Sequence, residues 1–181
     1  MKQKIRILTS LILLIMILNS CSVYKTESCL GKIGNNEYQN TVIKTNRFEG
    51  VIFSKEYIGL LNSAEKKFTP STNDIDLAEI ILREGIKDIN ANKPNQVDNC
   101  PVIHKRLNKY KRQYFGYFNK NGDKIIIMNC FWDEKRFYKE PINNQWKTEE
   151  KIVLDGCSYY WSIKVNLNKK TLFDFGVNGI G

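Results

Sequence analysis

Histidine occurs once in the chain, at position 104, and no two of the five cysteines are spaced C-x-x-C. The first scarcity leaves no H-E-x-x-H pair. The second removes the spacing of a zinc knuckle or a thioredoxin-like redox site. A G-x-S-x-G elbow and a phosphate-cradling glycine loop are also missing, as is any repeat of solenoid type. Beyond residue 21 no apolar stretch approaches the roughly 20 residues that a membrane-spanning helix needs. With no motif naming a cofactor, none is expected.

What is present begins at the amino terminus. Lys2, Lys4 and Arg6 precede an uncharged apolar run, Ile7 to Leu18, which leads into Leu18-Asn19-Ser20-Cys21. A basic start, a short apolar run and a small residue before the cut read as a secretory signal, and the run is too short to cross a bilayer. Leu18-Asn19-Ser20-Cys21 resembles the lipobox of bacterial lipoproteins, with Asn19 a departure from the commoner Ala or Ser. The resemblance implies that residues 1–20 are cleaved and that Cys21 carries a diacylglyceryl group. Two acyl chains anchor a protein stably where one holds it only marginally. The expected address is therefore the bacterial cell envelope, lipid-anchored, at the outer membrane.

The whole chain has 28 Lys+Arg against 19 Asp+Glu, a formal net charge of +9. Losing the signal removes three cations and no acids, leaving +6 on 161 residues, a length that suits one domain. Such a surplus favours an acidic surface component, an acidic protein or an anionic membrane surface. Export leaves little nucleic acid to bind, and none is expected as a partner. Besides Cys21, four thiols remain: Cys29, Cys100, Cys130 and Cys157. Outside the cytoplasm these are candidate disulfide cysteines, with up to two bridges in three full connectivities.

Residues 21–47 are polar, with Gly31, Gly34 and Asn35-Asn36, and show no sustained period. They read as a tether lifting the body off the lipid, with a short strand near 38–43. The body is expected as one domain over 48–181, opening on a strand at Phe48–Phe53. Thr69 to Asp74 offers several helix N-caps, and Ile75, Leu77, Ile80, Ile81, Leu82, Ile86 and Ile89 follow at near-helical spacing. Gly85 inside this helix implies close packing against a sheet. From Lys109 the period switches to 2. Strands at 109–118 and 124–132 flank the turn Asn119–Asp123, and strands at 159–167 and 171–177 flank Asn168–Lys170. Lys151–Leu154 adds a short strand. One helix followed by antiparallel hairpins predicts an α+β fold: a helix on a curled antiparallel sheet of four to five strands, cystatin-like or similar.

Chemistry-bearing groups are few. His104 is the one imidazole available to a Cys–His pair, with Cys100, Cys130 or Cys157 as partner, although no local pattern supports that pairing and a surface histidine is the plainer reading. Asp133, Glu134, Glu149, Glu150, Asp155 and Asp174 are candidate carboxylates for a hydrolytic pair. Lys105, Arg106, Lys109, Lys111 and Arg112, interleaved with aromatics up to Tyr117, form a candidate basic-aromatic binding face. Strand alternation alone also generates that pattern, with charged stems covering one side. Asp155-Gly156-Cys157-Ser158 reads as a turn with Gly156 at a positive φ.

The run Tyr110–Tyr117, the stretch Asn119–Ile126, Asn129-Cys130-Phe131, Asp155-Gly156 with Tyr159-Tyr160-Trp161, and Phe175–Gly179 resemble a group of small exported proteins and lipoproteins of Bacteroidota-type bacteria. Phe68-Thr69-Pro70 at the helix opening fits the same group. The resemblance covers about residues 65–181 and implies a shared fold, with no chemistry attached. Where the group usually has a second glycine after Asp-Gly, this chain has Cys157. The expected function is a membrane-anchored, non-enzymatic binding module. The alternatives are an inhibitor or immunity-like protein neutralising a hydrolase or toxin, and an envelope hydrolase.

Overall fold

The two hairpins form where their turn residues require. The Asn119 side-chain oxygen accepts from the backbone N–H of Asn121 and Asp123, and Gly122 takes a φ of 79°, a conformation glycine enters without a Cβ clash. In the computed structural model, residues 24–33, 36–59, 66–97, 99–132 and 144–180 are described. Among the described residues the strands are β1 (Lys25–Ile33), β2 (Asn36–Lys44), β3 (Glu49–Ile52), β4 (Lys67–Phe68), β5 (Lys111–Phe118), β6 (Lys124–Phe131), β7 (Tyr160–Asn166) and β8 (Thr171–Val177), with one α-helix, α1 (Thr72–Ile89). The α+β class holds.

The sheet differs from the expected one. It has eight strands in the order β1-β2-β3-β5-β6-β7-β8, with β4 beside β5, and it is open rather than curled. All neighbours are antiparallel except β3 and β5. That parallel pair needs a long crossover, which α1 supplies. Residues 151–154, expected as a strand, form none. The larger correction concerns the segment 21–47. Its described part is the β1–β2 hairpin, paired without a break from Lys25↔Lys44 to Ile33↔Asn36. The sheet thus includes the hairpin β1–β2, residues that the sequence reads as tether. As an edge strand with mostly exposed side chains, β1 needs no apolar alternation, which is why the sequence pattern conceals it.

Helix α1 starts on a reciprocal cap: Ser71 Oγ accepts from the Asp74 N–H, and the Asp74 carboxylate accepts from the Ser71 N–H at 3.0 Å. Its buried stripe is Ile75, Ala78, Glu79, Ile81, Leu82 and Ile86, whereas Ile80 faces outward. At Gly85 an added Cβ would lie 2.9 Å from Leu172 Cδ1, the close approach to the sheet that the sequence implied.

Both faces of the sheet are covered. On the helix face, Ile75, Leu82 and Ile86 pack with Ile43, Tyr114, Met128, Cys130, Trp161 and Ile163. On the far face, Tyr38, Val51, Phe53, Phe115, Phe131 and Tyr160 pack under Tyr57 and Trp146. Each fully buried large side chain contributes roughly 1.5–3 kcal/mol. The Trp146 segment is strapped down by side-chain amides. Gln113 Nε2 donates to Trp146 O and Glu149 O, both at 2.7 Å, and Gln113 Oε1 accepts from the Lys151 N–H and from Asn129 Nδ2. All four hydrogen-bonding positions of that amide are filled.

One charged pair lies within the helix-face core. Arg112 Nε sits 2.7 Å from Glu79 Oε1, with both side chains only 2% exposed. Tyr114 Oη donates to the same carboxylate at 3.0 Å, and the guanidinium also donates to Tyr110 O and Leu107 O. Burial, the largest single influence, disfavours the charge on Arg112, but Glu79, Tyr114 and Cys130 together outweigh it and raise the guanidinium pKa. Removing one partner of such a pair costs about 3–5 kcal/mol, whereas apolar replacement of both is often neutral. Glu79→Ala is therefore expected to lower urea-unfolding stability by roughly 3–5 kcal/mol, with Glu79→Leu/Arg112→Met regaining most of it. A loss under about 1 kcal/mol for the single variant would show that the pair does not seat the helix.

Of the four thiols, Cys100 and Cys157 form a disulfide with Cα atoms 6.1 Å apart. Cys29 and Cys130 are free, so no second bridge forms among the described residues. The reason is topological: Cys130 packs in the helix-face core and Cys29 against the far-face core, with the sheet between them. The bridge closes a separation of 57 residues, a loop whose cross-link is worth about 4 kcal/mol by chain entropy. Cys100→Ser/Cys157→Ser should lower the thermal midpoint accordingly. Non-reducing peptide mapping of the parent chain should recover Cys100 joined to Cys157 and no other pair.

Candidate functional site

The basic-aromatic face does not exist as one surface. Strand alternation sends Tyr110, Arg112 and Tyr114 into the helix-face core and turns Lys111, Gln113, Phe115 and Tyr117 to the other side. Arg112 is consumed by Glu79 and by the ring of Phe48, 4.8 Å from its guanidinium carbon. Lys111 Nζ lies 4.6 Å over the Trp146 ring, and Tyr117 is half-buried against the far-face core. Lys105, Arg106 and Lys109 are exposed on the two 3-10 turns, Ile103–Lys105 and Leu107–Lys109, that lead into β5.

A different grouping emerges from the register. At one end of the sheet β1, β3, β5 and β7 begin and β2, β6 and β8 finish, as the partners Lys25↔Lys44, Lys44↔Glu49, Lys111↔Phe131, Phe131↔Tyr160 and Trp161↔Val177 establish. Exposed Lys25, Lys44 and Arg47 sit there, with the turns bearing Lys105, Arg106 and Lys109 immediately before β5. None of these six has an ion-pair partner among the described residues. From β1 to β5 is three inter-strand steps, roughly 14 Å. Acids at this end include Glu27, Glu49 and Asp155, and Asp76 lies against Tyr24 there, so the six cations outnumber them. At the opposite end lysines are partly neutralised: Lys124 Nζ is 3.0 Å from Asp74 and Lys169 Nζ 3.5 Å from Asp123.

The same end holds the start of the described chain. Tyr24, one residue before β1, packs against the helix-face core, and its hydroxyl donates to Asp76 Oδ1 of α1 at 2.5 Å. Burial and that carboxylate raise the phenol pKa. Cys21 itself lies outside the described residues. Sequence reasoning misses Lys25, Lys44 and Arg47 because they fall in the segment that reads as tether, and only strand register brings them beside Lys109.

Cys100 and Cys157 are bonded to each other, and burial pushes the Cys130 thiol up to about 12, so none offers His104 a thiolate. Cys157 has a φ of 45°, next to Gly156 at 93°. The left-handed region costs a side-chain-bearing residue roughly 1–2 kcal/mol, which the bridge to Cys100 offsets. Asp174 pairs with Lys164 at 2.8 Å, and Glu149 belongs to the strap. Asp155 lies exposed in the turn before β7; Asp133 and Glu134 lie outside the described residues. Among the described residues no three His, Cys, Asp or Glu side chains converge as a metal site requires. No family model matches the chain, and neither a curated protein nor a solved structure matches it.

His104 is half-exposed, with Nδ1 3.1 Å from Asn90 Nδ2, whose amide also pairs with Gln96. Burial, then the charges of Lys105, Lys93 and Lys87, lower its pKa. The unfolded chain therefore takes up this proton first, and stability falls as pH drops from the ordinary imidazole value of about 6.5 through the lower folded value. The His104 ring should titrate below 6.5 by NMR, and His104→Gln should flatten the stability profile in that window. A midpoint at or above the ordinary value would contradict this.

Proposed function

We propose that the protein is an exported lipoprotein, held to the cell envelope by lipid on Cys21, whose body is a non-enzymatic binding module with a cationic end. The observation that carries the reading is the cysteine directly after the small residue that ends the basic-apolar amino terminus. The Cys100–Cys157 bridge supports it, because disulfides persist outside the reducing cytoplasm. Unpaired cations grouped at one end of the sheet favour an anionic surface or an acidic partner.

A second reading, an inhibitor or immunity-like protein for a hydrolase or toxin, is favoured by β1. Among the described residues this nine-residue edge strand pairs only with β2. Its free edge offers backbone groups to a partner strand, and Leu30 on it is 74% exposed. A photo-crosslinker at Leu30 in the native envelope separates the two readings: a stoichiometric hydrolase or toxin supports the second, and adducts to lipid alone support the first.

Intact mass of the membrane-extracted protein is expected to show loss of residues 1–20 and a diacylglyceryl thioether on Cys21. Cys21→Ala should leave an uncleaved, unlipidated precursor. Unmodified protein starting at Met1 and recovered in the soluble fraction would refute the reading.

A further inference from the structure

We propose that the cationic end of the sheet lies directly against anionic lipid headgroups, so that the anchored body stands on the membrane in one fixed orientation. The inference rests on the lipoprotein reading and goes beyond it, because a lipid anchor alone specifies no face. Three observations combine. First, the chain is pinned at Tyr24, by its packing on the core and its hydrogen bond to Asp76. Two residues, Ser22 and Val23, separate Tyr24 from Cys21, three Cα steps with a reach of at most roughly 11 Å. A long polar tether would have allowed any orientation; this linkage does not.

Second, the pinned residue immediately precedes Lys25, so the anchor emerges at the end of the sheet carrying Lys25, Lys44, Arg47, Lys105, Arg106 and Lys109. Third, none of those cations has a carboxylate within ion-pair distance among the described residues; at the opposite end Lys124 and Lys169 are paired and Lys120 and Lys170 are not. Basic residues held next to a lipid anchor add attraction to an anionic surface, and that attraction decays within a Debye length, about 8 Å at physiological salt. An anchor of at most roughly 11 Å is comparable with that range, and it turns the end of the sheet, roughly 14 Å across from β1 to β5, toward the membrane. Glu27 and Glu49 at the same end moderate the attraction without reversing it.

The test uses the mature lipidated protein reconstituted in vesicles of phosphatidylcholine alone and with about one-third phosphatidylglycerol, read by amine-acylation footprinting. Lys25, Lys44, Lys105 and Lys109 are expected to acylate several-fold more slowly on the anionic vesicles. Lys120 and Lys170 at the far end should react equally on both. High salt should erase the difference. The variant Lys44→Gln/Arg47→Gln/Lys109→Gln, which changes only exposed side chains, should lose the remaining protection of Lys25 and Lys105. Intact mass of the same sample reads the anchor separately. Lipid on Cys21 with equal protection of both ends, or with no difference between vesicles, overturns the docking alone. Absence of lipid on Cys21 overturns the anchor, and the orientation with it. Protection by a soluble acidic polysaccharide but by neither vesicle would assign the surface to glycan and overturn the proposal.

Discussion

The ion pair between Glu79 and Arg112 fixes how the helix sits on the sheet. A charge buried on both partners is tolerated only when geometry supplies compensating contacts, and here Tyr114 and two backbone carbonyls supply them. That demand selects one phase for β5. With Arg112 turned toward α1, Tyr110 and Tyr114 must follow it, and Lys111, Gln113 and Phe115 must face the other way. Gln113 then meets the backbone of residues 146–151, and Lys111 meets Trp146. One helix–strand contact thereby organises the cover on both faces.

Local order in this chain was legible where side-chain chemistry acts over a few residues. Ser71 and Asp74 mark the helix start, Gly122 the first hairpin, and Gly156 the turn before β7. Less legible was anything depending on which faces are covered. Alternation separates Arg112 from Lys111 but cannot tell that both sides of β5 are buried, so Arg112 read as surface. A signal existed in Glu79. It lies four residues after Ile75 and three before Leu82, on the core stripe of α1, where a carboxylate requires a buried cation or donor. The β1–β2 hairpin shows the converse difficulty. β1 sets Cys29 against the far-face core, and β2 carries Tyr38 and Val42 on that face and Ile43 on the other, too few to register as a period.

The cysteines repeat the point. Four thiols allowed three full pairings, and counting them favours two bridges. Two covered faces make the second bridge impossible, because the sheet separates Cys29 from Cys130. Cys100 and Cys157 escape this constraint since neither lies in a strand. They join the loop after α1 to the turn before β7, where the chain has enough freedom to bring their Cα atoms together.

The candidate cationic end depends on the same arrangement. If Arg112 did not face the core, β5 would turn over and Lys109 and Lys111 would project differently relative to Lys25 and Lys44. Helix α1 holds both controls: Glu79 sets the phase of β5, and Asp76, less than one turn earlier, holds Tyr24. A single rigid element thus fixes the strand that bears one part of the basic cluster and the chain start that bears the other. On the proposed anchored protein, the position of the lipid relative to the cations is then a consequence of helix packing. Loosening the seat of α1 would disturb that geometry without altering any exposed charge.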